Sequence, residues 1–347
     1  NTPPAFRDVV TAELAGERAF LDTLPRTTTT FKTQWQRLLA SAAVPRALAH
    51  AEISAGPLLS TVWNQDYPYN LYAPPAPGGP GGKAYAGCVA SALAQIMRYH
   101  QWPVAVTTNH SYYDGDGSCV GTHAMDDAGL NEYQWQHMPN AINAGSATAQ
   151  KQAIGQLIYH CGVGVDMDFE ASGSGAYSES VPGALQTYFL YNASHVRRRS
   201  SYDNAAWYRL MATNIMVGRP MFYAFQSSGG GHAVVCDGVR NDTDIHLNFG
   251  WGGYANAWYN MDNVNGGGES WTLHSAVTDI APKQAALSVH TAVPQNDTDG
   301  DGHLEPAESF DLVINVRNTG GLGVDSVTGQ LASLTGNISI SGDAMQP

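Results

Sequence analysis

The chain has 347 residues, of which 43% are hydrophobic and only 14% are charged. With 37 glycines, 17 tyrosines and 8 tryptophans, this composition is typical of a turn-rich globular protein and excludes a mainly disordered or coiled-coil chain. The formal net charge of −13 disfavours nucleic acid and anionic membrane surfaces as partners, and no stretch approaches the roughly 20 apolar residues of a membrane span.

The first 55 residues differ in amino-acid composition from the rest of the chain. They hold alanine-rich segments with helical character, few glycines and a break at Pro45, which predicts a short helical module. From Gly56 onward the chain is rich in aromatic residues, proline and glycine. Asn1 is not an initiator methionine, so the sequence begins either after a removed leader or at an arbitrary boundary, and we expect a secreted protein.

A glycine and a cysteine, Gly87-Cys88, lead directly into an apolar run. Apolar residues then recur at the spacing of one buried helix face: Ala92, Leu93, Ile96 and Met97. Cys88 is therefore predicted in the first turn of a helix, where the macrodipole and free N–H groups lower a thiol pKa and favour the reactive thiolate. The alternative is a small cysteine buried in the core.

Further along the chain, helices come before strands. Helical spacing predicts helices over 147–160 and 181–190, and short alternating runs predict four strands between residues 220 and 261. This order indicates an α+β fold. After residue 283, alternating runs at 286–293 and 310–316 predict part of a small β-sandwich, because about 60 residues are fewer than the roughly 100 of a complete immunoglobulin-like domain.

A cysteine nucleophile needs a base and a third group that orients the base. His232 lies 144 residues after Cys88, behind three glycines at the start of a predicted strand, and Asn248 follows 16 residues later on the next one. The order Cys, His, Asn and these gaps match a papain-like arrangement, in which the amide of Asn248 would orient His232.

An acidic segment near the C-terminus fits the template of a calcium-binding loop. The predicted ligands are Asp297, Asp299, Asp301, the backbone of His303, Glu305 and Glu308. The residues that follow have a strand pattern, so we predict a calcium-bound loop at the edge of the sandwich and not a paired EF-hand. A solvated acidic turn is the alternative.

Residues 56–280 resemble the streptopain family of bacterial cysteine peptidases, which belong to the papain-like clan. Six separated motifs carry the resemblance: Trp63-x-Gln65 with Pro68-Tyr69-Asn70; Gly87-Cys88-Val89-Ala90 with Ala94-Gln95-Ile96-Met97; Trp102-Pro103; Gly173-Ser174-Gly175-Ala176; Gly231-His232-Ala233 with Asp237-Gly238; and Asn248-x-Gly250-Trp251-Gly252-Gly253. Relatives carry tryptophan at the position of Phe249, so this chain has a phenyl ring where an indole is expected beside the histidine.

The resemblance implies a function for each of these positions. Cys88 would attack the peptide carbonyl, His232 would act as base and then as acid, and Gln65 would donate to the oxyanion beside the Cys88 amide. Residues expected to bind substrate are Ser174, Gly231, Phe249 and Trp251. The family needs no organic cofactor.

The resulting prediction is a secreted cysteine endopeptidase of two-lobed papain-like fold that acts on protein or peptide substrates. Residues 1–55 would be the end of an inhibitory pro-segment, 56–282 the peptidase domain and 283–347 an incomplete sandwich-like domain. Two alternatives stay open at this point. One is another thiol enzyme, an amidase or acyl transferase, and the other is a catalytically dead adhesion or scaffold protein.

Overall fold

A computed structural model describes residues 54–285, 287–295, 310–318 and 320–322. The predicted helical module and the predicted calcium loop, with all six of its proposed ligands, lie outside these residues. Within the described part, no helix has both the length and the apolar character needed to cross a membrane.

Four α-helices are present in the described part of the chain. They are α1 (Cys88–His100), α2 (Thr148–Gly164), α3 (Ser180–Thr187) and α4 (Asn204–Met216). Short 3₁₀ turns lie at Pro80–Gly82, Met125–Ala128, Trp135–His137 and Arg199–Ser201. α1 packs against α2, and every residue from Val89 to Met97 is buried, so α1 is the central helix of the helical lobe.

An antiparallel sheet forms the second lobe. Its strands are β4 (Arg197–Arg198), β5 (Met221–Ser227), β6 (Gly230–Arg240), β7 (Asp244–Asn248), β8 (Ala257–Asn260), β9 (Val264–Gly266) and β10 (Glu269–Val277). The order across the sheet is β4-β10-β5-β6-β7-β8, and β9 pairs with β10. Smaller pairs are formed by β1 (Ser111–Asp114) with β2 (Gly121–Ala124), and by β3 (Tyr191–Asn192) with β11 (Ala281–Pro282).

The predicted helices and the four predicted strands between residues 220 and 261 are confirmed, but β9 and β10, which pairs with β5, were not predicted. Two further differences lie elsewhere in the chain. The region from Trp102 to Gln136 contains the β1-β2 hairpin, although its polar, glycine-rich sequence predicted irregular structure. Helix α4 was not predicted; it begins after Asp203, whose carboxylate accepts a hydrogen bond from the Ala206 amide at 2.7 Å. The α+β fold class is correct.

Two further strands follow the peptidase-like part. β12 (Leu287–Gln295) and β13 (Asp311–Asn318) pair antiparallel, where alternating runs predicted strands. A two-stranded hairpin is only one component of a sandwich, so the sandwich-like domain stays a prediction.

Candidate active site

Cys88 is the first residue of α1, as predicted, and a left-handed glycine precedes it. Gly87 has φ 86°, and a Cβ atom there would lie 2.7 Å from the sulfur of Met167. The positive φ therefore favours glycine here, whereas the end of the Met167 side chain could shift to admit a Cβ atom. This turn leaves the Cys88 side chain half-buried while the rest of the helix enters the core.

The sulfur of Cys88 faces strand β6 of the other lobe. The backbone N–H of Ala233 lies close enough to the sulfur to lower the pKa of the thiol, and Ala233 directly follows His232. A thiol and an imidazole that lie 144 residues apart in sequence are therefore neighbours in the fold.

His232 is 7% exposed and is held through its Nε2 atom, 2.9 Å from the carbonyl oxygen of Phe249. A carbonyl can only accept, so Nε2 carries the hydrogen and Nδ1 is the basic nitrogen of the neutral ring. Burial lowers the pKa of His232 to about 4, although the bond to Phe249 acts in the opposite direction. As long as the Cys88 thiol keeps its proton, the imidazole of His232 is therefore neutral at pH 7.

Burial also raises the pKa of the Cys88 thiol, and the nearby backbone amides of Ala233, Val89 and Cys88 oppose this rise. The expectation that a helix N-terminus alone would lower this pKa is wrong, because desolvation is the larger effect. A thiolate here depends on proton transfer to the imidazole, which replaces two separately disfavoured charges by an ion pair. All four cysteines of the chain are free thiols.

Asn248 does not hold the imidazole. Its Nδ2 donates to the Thr61 carbonyl at 2.7 Å and to Gln95 Oε1 at 3.2 Å, and its Oδ1 accepts from the Gly250 amide at 3.1 Å. The group that accepts from His232 is the carbonyl of Phe249, one residue further on. The predicted role of Asn248 is corrected accordingly: its side chain orients the loop that carries the acceptor.

Aromatic rings enclose the imidazole. The indole of Trp251 stacks on His232 with ring centroids 4.4 Å apart, and Phe249 and Trp271 follow at 5.7 and 5.8 Å. Trp251 therefore supplies an indole beside the histidine despite the phenylalanine at position 249. Trp271 was not predicted, because a lone tryptophan in a strand gives no signal of what it packs against.

The side chain of Phe249 is 0% exposed, which corrects the prediction that it lines the substrate site. A Cβ atom on Gly266 would lie 2.6 Å from its Cζ, so strand β9 closes over the ring. The phenyl ring packs against the imidazole of His232. Phe249 contacts a polar group of the site only through its backbone carbonyl, which accepts from His232.

This packing leads to a prediction for Phe249→Trp, the change toward the family sequence. The larger indole overpacks the space next to Gly266, and we expect a loss of about 1–3 kcal/mol in the free energy of unfolding with no gain in kcat/KM. Urea unfolding and a peptide hydrolysis assay measure the two quantities. A variant several-fold more active than the natural chain would contradict this reading.

Gln65 lies half-buried on the segment that faces the Cys88 turn. Its side-chain Nε2 donates to the Gly250 carbonyl at 3.3 Å. Its backbone carbonyl accepts from the amide of Ala86, two residues before Cys88. A primary amide has two N–H donors, so one remains for a substrate oxygen. This position is compatible with the predicted oxyanion donor.

Ser174 and Gly231 were also predicted to bind substrate. The Oγ of Ser174 donates to the Tyr85 carbonyl at 2.7 Å and accepts from the Glu170 amide at 2.9 Å, so the hydroxyl serves to tie its loop to the segment before Cys88. Gly231 is exposed, directly before His232 on β6. Contact of either residue with substrate stays a prediction.

Within the described residues, one group of acids could approach a cation: Asp114, Asp116 and Asp168, with ligand atoms within 4.8 Å of one another. Burial raises the pKa of Asp168, and the charges of Asp114 and other neighbouring acids add to this effect. The amide of Phe169 already donates to Asp114. We assign no ion to this group.

A half-buried cysteine at a helix N-terminus, beside the strand of an antiparallel sheet that carries a buried histidine, defines a papain-like cysteine peptidase site. In agreement, solved structures of interpain A from Prevotella intermedia are similar to this chain. The active wild-type cysteine protease has a TM-score of 0.59 and 30% identity over 65% of this chain and 94% of its own. A fragment of prointerpain A has a TM-score of 0.57 and 26% identity over 67% of this chain and 73% of its own.

Residues 63–259 match the model of the peptidase C10 family, and the chain belongs to this family. Streptopain of Streptococcus pyogenes is 32% identical over 63% of this chain, and the thiol protease/hemagglutinin PrtT of Porphyromonas gingivalis is 32% identical over 78% of it. The chain spans 60% of the length of streptopain and 32% of that of PrtT.

Proposed function

We propose that the chain is a cysteine endopeptidase that hydrolyses protein substrates through an acyl-thioester on Cys88. The observation that carries the proposal is the proximity of the Cys88 sulfur to the Ala233 amide, next to His232 on β6. Membership of the peptidase C10 family supports it independently.

In the first half of the reaction, the Cys88 sulfur attacks the peptide carbonyl carbon while Nδ1 of His232 takes the thiol proton. The Cys88 amide and Gln65 Nε2 stabilise the oxyanion. Collapse of this intermediate breaks the C–N bond, and the imidazolium gives its proton to the leaving amine. Water, deprotonated by His232, then attacks the thioester, and the sulfur leaves as thiol.

We further propose that residues 1–55 contain the end of an inhibitory pro-segment, and that the cut between about Ala42 and Gly56 falls before Ala55. The Ala55 amide and carbonyl both pair with Val239 on β6 at 2.9 Å, and the Leu59 amide donates to the carboxylate of Asp237 at 3.0 Å. The chain from Ala55 onward is thus part of the peptidase sheet and would be costly to remove. Secretion, and calcium binding by residues 297–308, are proposed from the sequence alone.

Labelling with an epoxide inhibitor of thiol proteases tests the proposal. Mass spectrometry should find one adduct, on Cys88, that is absent from Cys88→Ala and retained in Cys119→Ala, which removes another free thiol. Products from casein, with and without amine acceptors, separate an endopeptidase from an amidase or acyl transferase. An unlabelled natural chain, or an adduct that persists in Cys88→Ala, would refute the assignment.

A further inference from the structure

Helix α1 carries a buried polar stripe that begins with its cysteine. Ser91 and Gln95 follow Cys88 by three and seven residues, which places all three on one face of the helix. Both Ser91 and Gln95 are 0% exposed, on a helix otherwise packed in hydrocarbon. A buried amide is costly unless its donors and acceptors are paired, so the partners of Gln95 indicate what it does.

Gln95 and Asn248 form a reciprocal amide pair. Gln95 Nε2 donates to Asn248 Oδ1 at 3.4 Å, and Asn248 Nδ2 donates to Gln95 Oε1 at 3.2 Å. Gln95 Oε1 also accepts from the Trp63 amide at 3.3 Å, and Asn248 Nδ2 also donates to the Thr61 carbonyl at 2.7 Å. The pair therefore joins the helix of the nucleophile to residues 61–63 and to the end of β7.

The loop held by this pair carries two polar contacts of the site. Phe249 supplies the carbonyl that accepts from His232, and Gly250 supplies the carbonyl that accepts from Gln65. The Gly250 amide is in turn fixed by Asn248. Because Cys88 and Gln95 belong to one rigid helix, the pair sets where the sulfur lies relative to both carbonyls.

We propose that Gln95 is a positioning residue, which acts through Asn248 to align the base and the oxyanion donor with the Cys88 sulfur. This inference rests on the proposed peptidase function and adds to it. Gln95 touches none of the reacting atoms, and its effect comes from geometry. A displacement of about 1 Å at such a site can cost as much as 10²-fold in rate.

The test replaces Gln95 by methionine, which keeps the length and volume of the side chain but removes the amide. We expect Gln95→Met to lower kcat for a peptide substrate about 10- to 100-fold with KM changed less than about threefold. The pH profile of Cys88 alkylation by iodoacetamide should also move upward, by about one unit, because the imidazolium loses its aligned carbonyl.

Gln156→Met is the matched control. Gln156 is also a buried glutamine on a helix, α2, and its Nε2 donates to the backbone carbonyls of Gly129 and Asn131. Both variants should lower the melting temperature by a few degrees. Only Gln95→Met should change kcat and the alkylation profile.

A second variant covers the case in which Gln95→Met does not fold. Asn248→Leu breaks the same pair from the loop side and should give the same losses, and the double variant should lose less than the product of the two single effects. Unchanged kcat and an unchanged alkylation profile in a folded variant would overturn the proposal and leave Gln95 a structural residue. Hydrolysis by the natural chain tests the peptidase function itself. Alkylation reports the geometry at Cys88 even without peptidase activity. Failure of the peptidase function and failure of the positioning role of Gln95 are therefore distinguishable.

Discussion

Replacing His232 by asparagine should lower kcat/KM for peptide substrates by about 10³-fold or more, because a general base contributes roughly 10²- to 10⁴-fold and the thiol also loses its activation. The burial that raises the pKa of Cys88 is then opposed only by the nearby backbone amides. Alkylation of Cys88 at neutral pH should slow in parallel, and its midpoint should rise above the ordinary pKa of a cysteine. A stopped assay with iodoacetamide between pH 5 and 10 measures this shift.

His160→Asn is the control for the loss of a buried histidine. His160 is 0% exposed, its Nε2 contacts the Met125 carbonyl at 2.9 Å, and burial lowers its pKa to about 4, as for His232. Its Nδ1 pairs with the Tyr133 hydroxyl, away from Cys88. We expect a similar loss of stability in both variants but near-normal turnover in folded His160→Asn. Equal loss of activity in the two, with both folded, would remove His232 from the mechanism.

Those parts of the site that depend on short-range sequence signals were predictable. Glycine before Cys88 and apolar residues at helical spacing after it both reflect local geometry, so the start of α1 was correctly placed. The glycines before His232 likewise indicated the turn that precedes β6. In both cases the glycine indicates the conformation of its own backbone, so a single sequence is enough to predict the turn.

The third member of the site could not be predicted, because it is a backbone carbonyl. Every residue has one, and the choice of Phe249 over the Asn248 side chain depends on how the loop after β7 turns. The aromatic rings that surround His232 could not be predicted for the same reason, because their positions also depend on tertiary packing. A bulge between Thr272 and Ser275 on β10 interrupts the alternation of strand faces, so that Trp271 and His274 are both buried. Register of this kind is set by tertiary packing and has no local signature.

Gln65→Ala should lower kcat by about 10²- to 10³-fold while KM stays within about threefold, because an oxyanion donor stabilises charge that exists only after attack. In the resting structure the amide of Gln65 already points at the Gly250 carbonyl, which leaves one N–H for the substrate. Gln65→Glu should be impaired at least as strongly, since it keeps the shape of the side chain but loses both donors.

Alkylation distinguishes this role from that of His232. Attack of Cys88 on iodoacetamide creates no oxyanion, so Gln65→Ala should alkylate at nearly the natural rate and with the natural pH profile, whereas His232→Asn should not. Gln186→Ala on α3 is the control, because Gln186 also donates to a backbone carbonyl, that of Ala193, at 2.9 Å. If Gln65→Ala slows alkylation as much as hydrolysis, Gln65 supports the Cys88 turn and the oxyanion assignment fails.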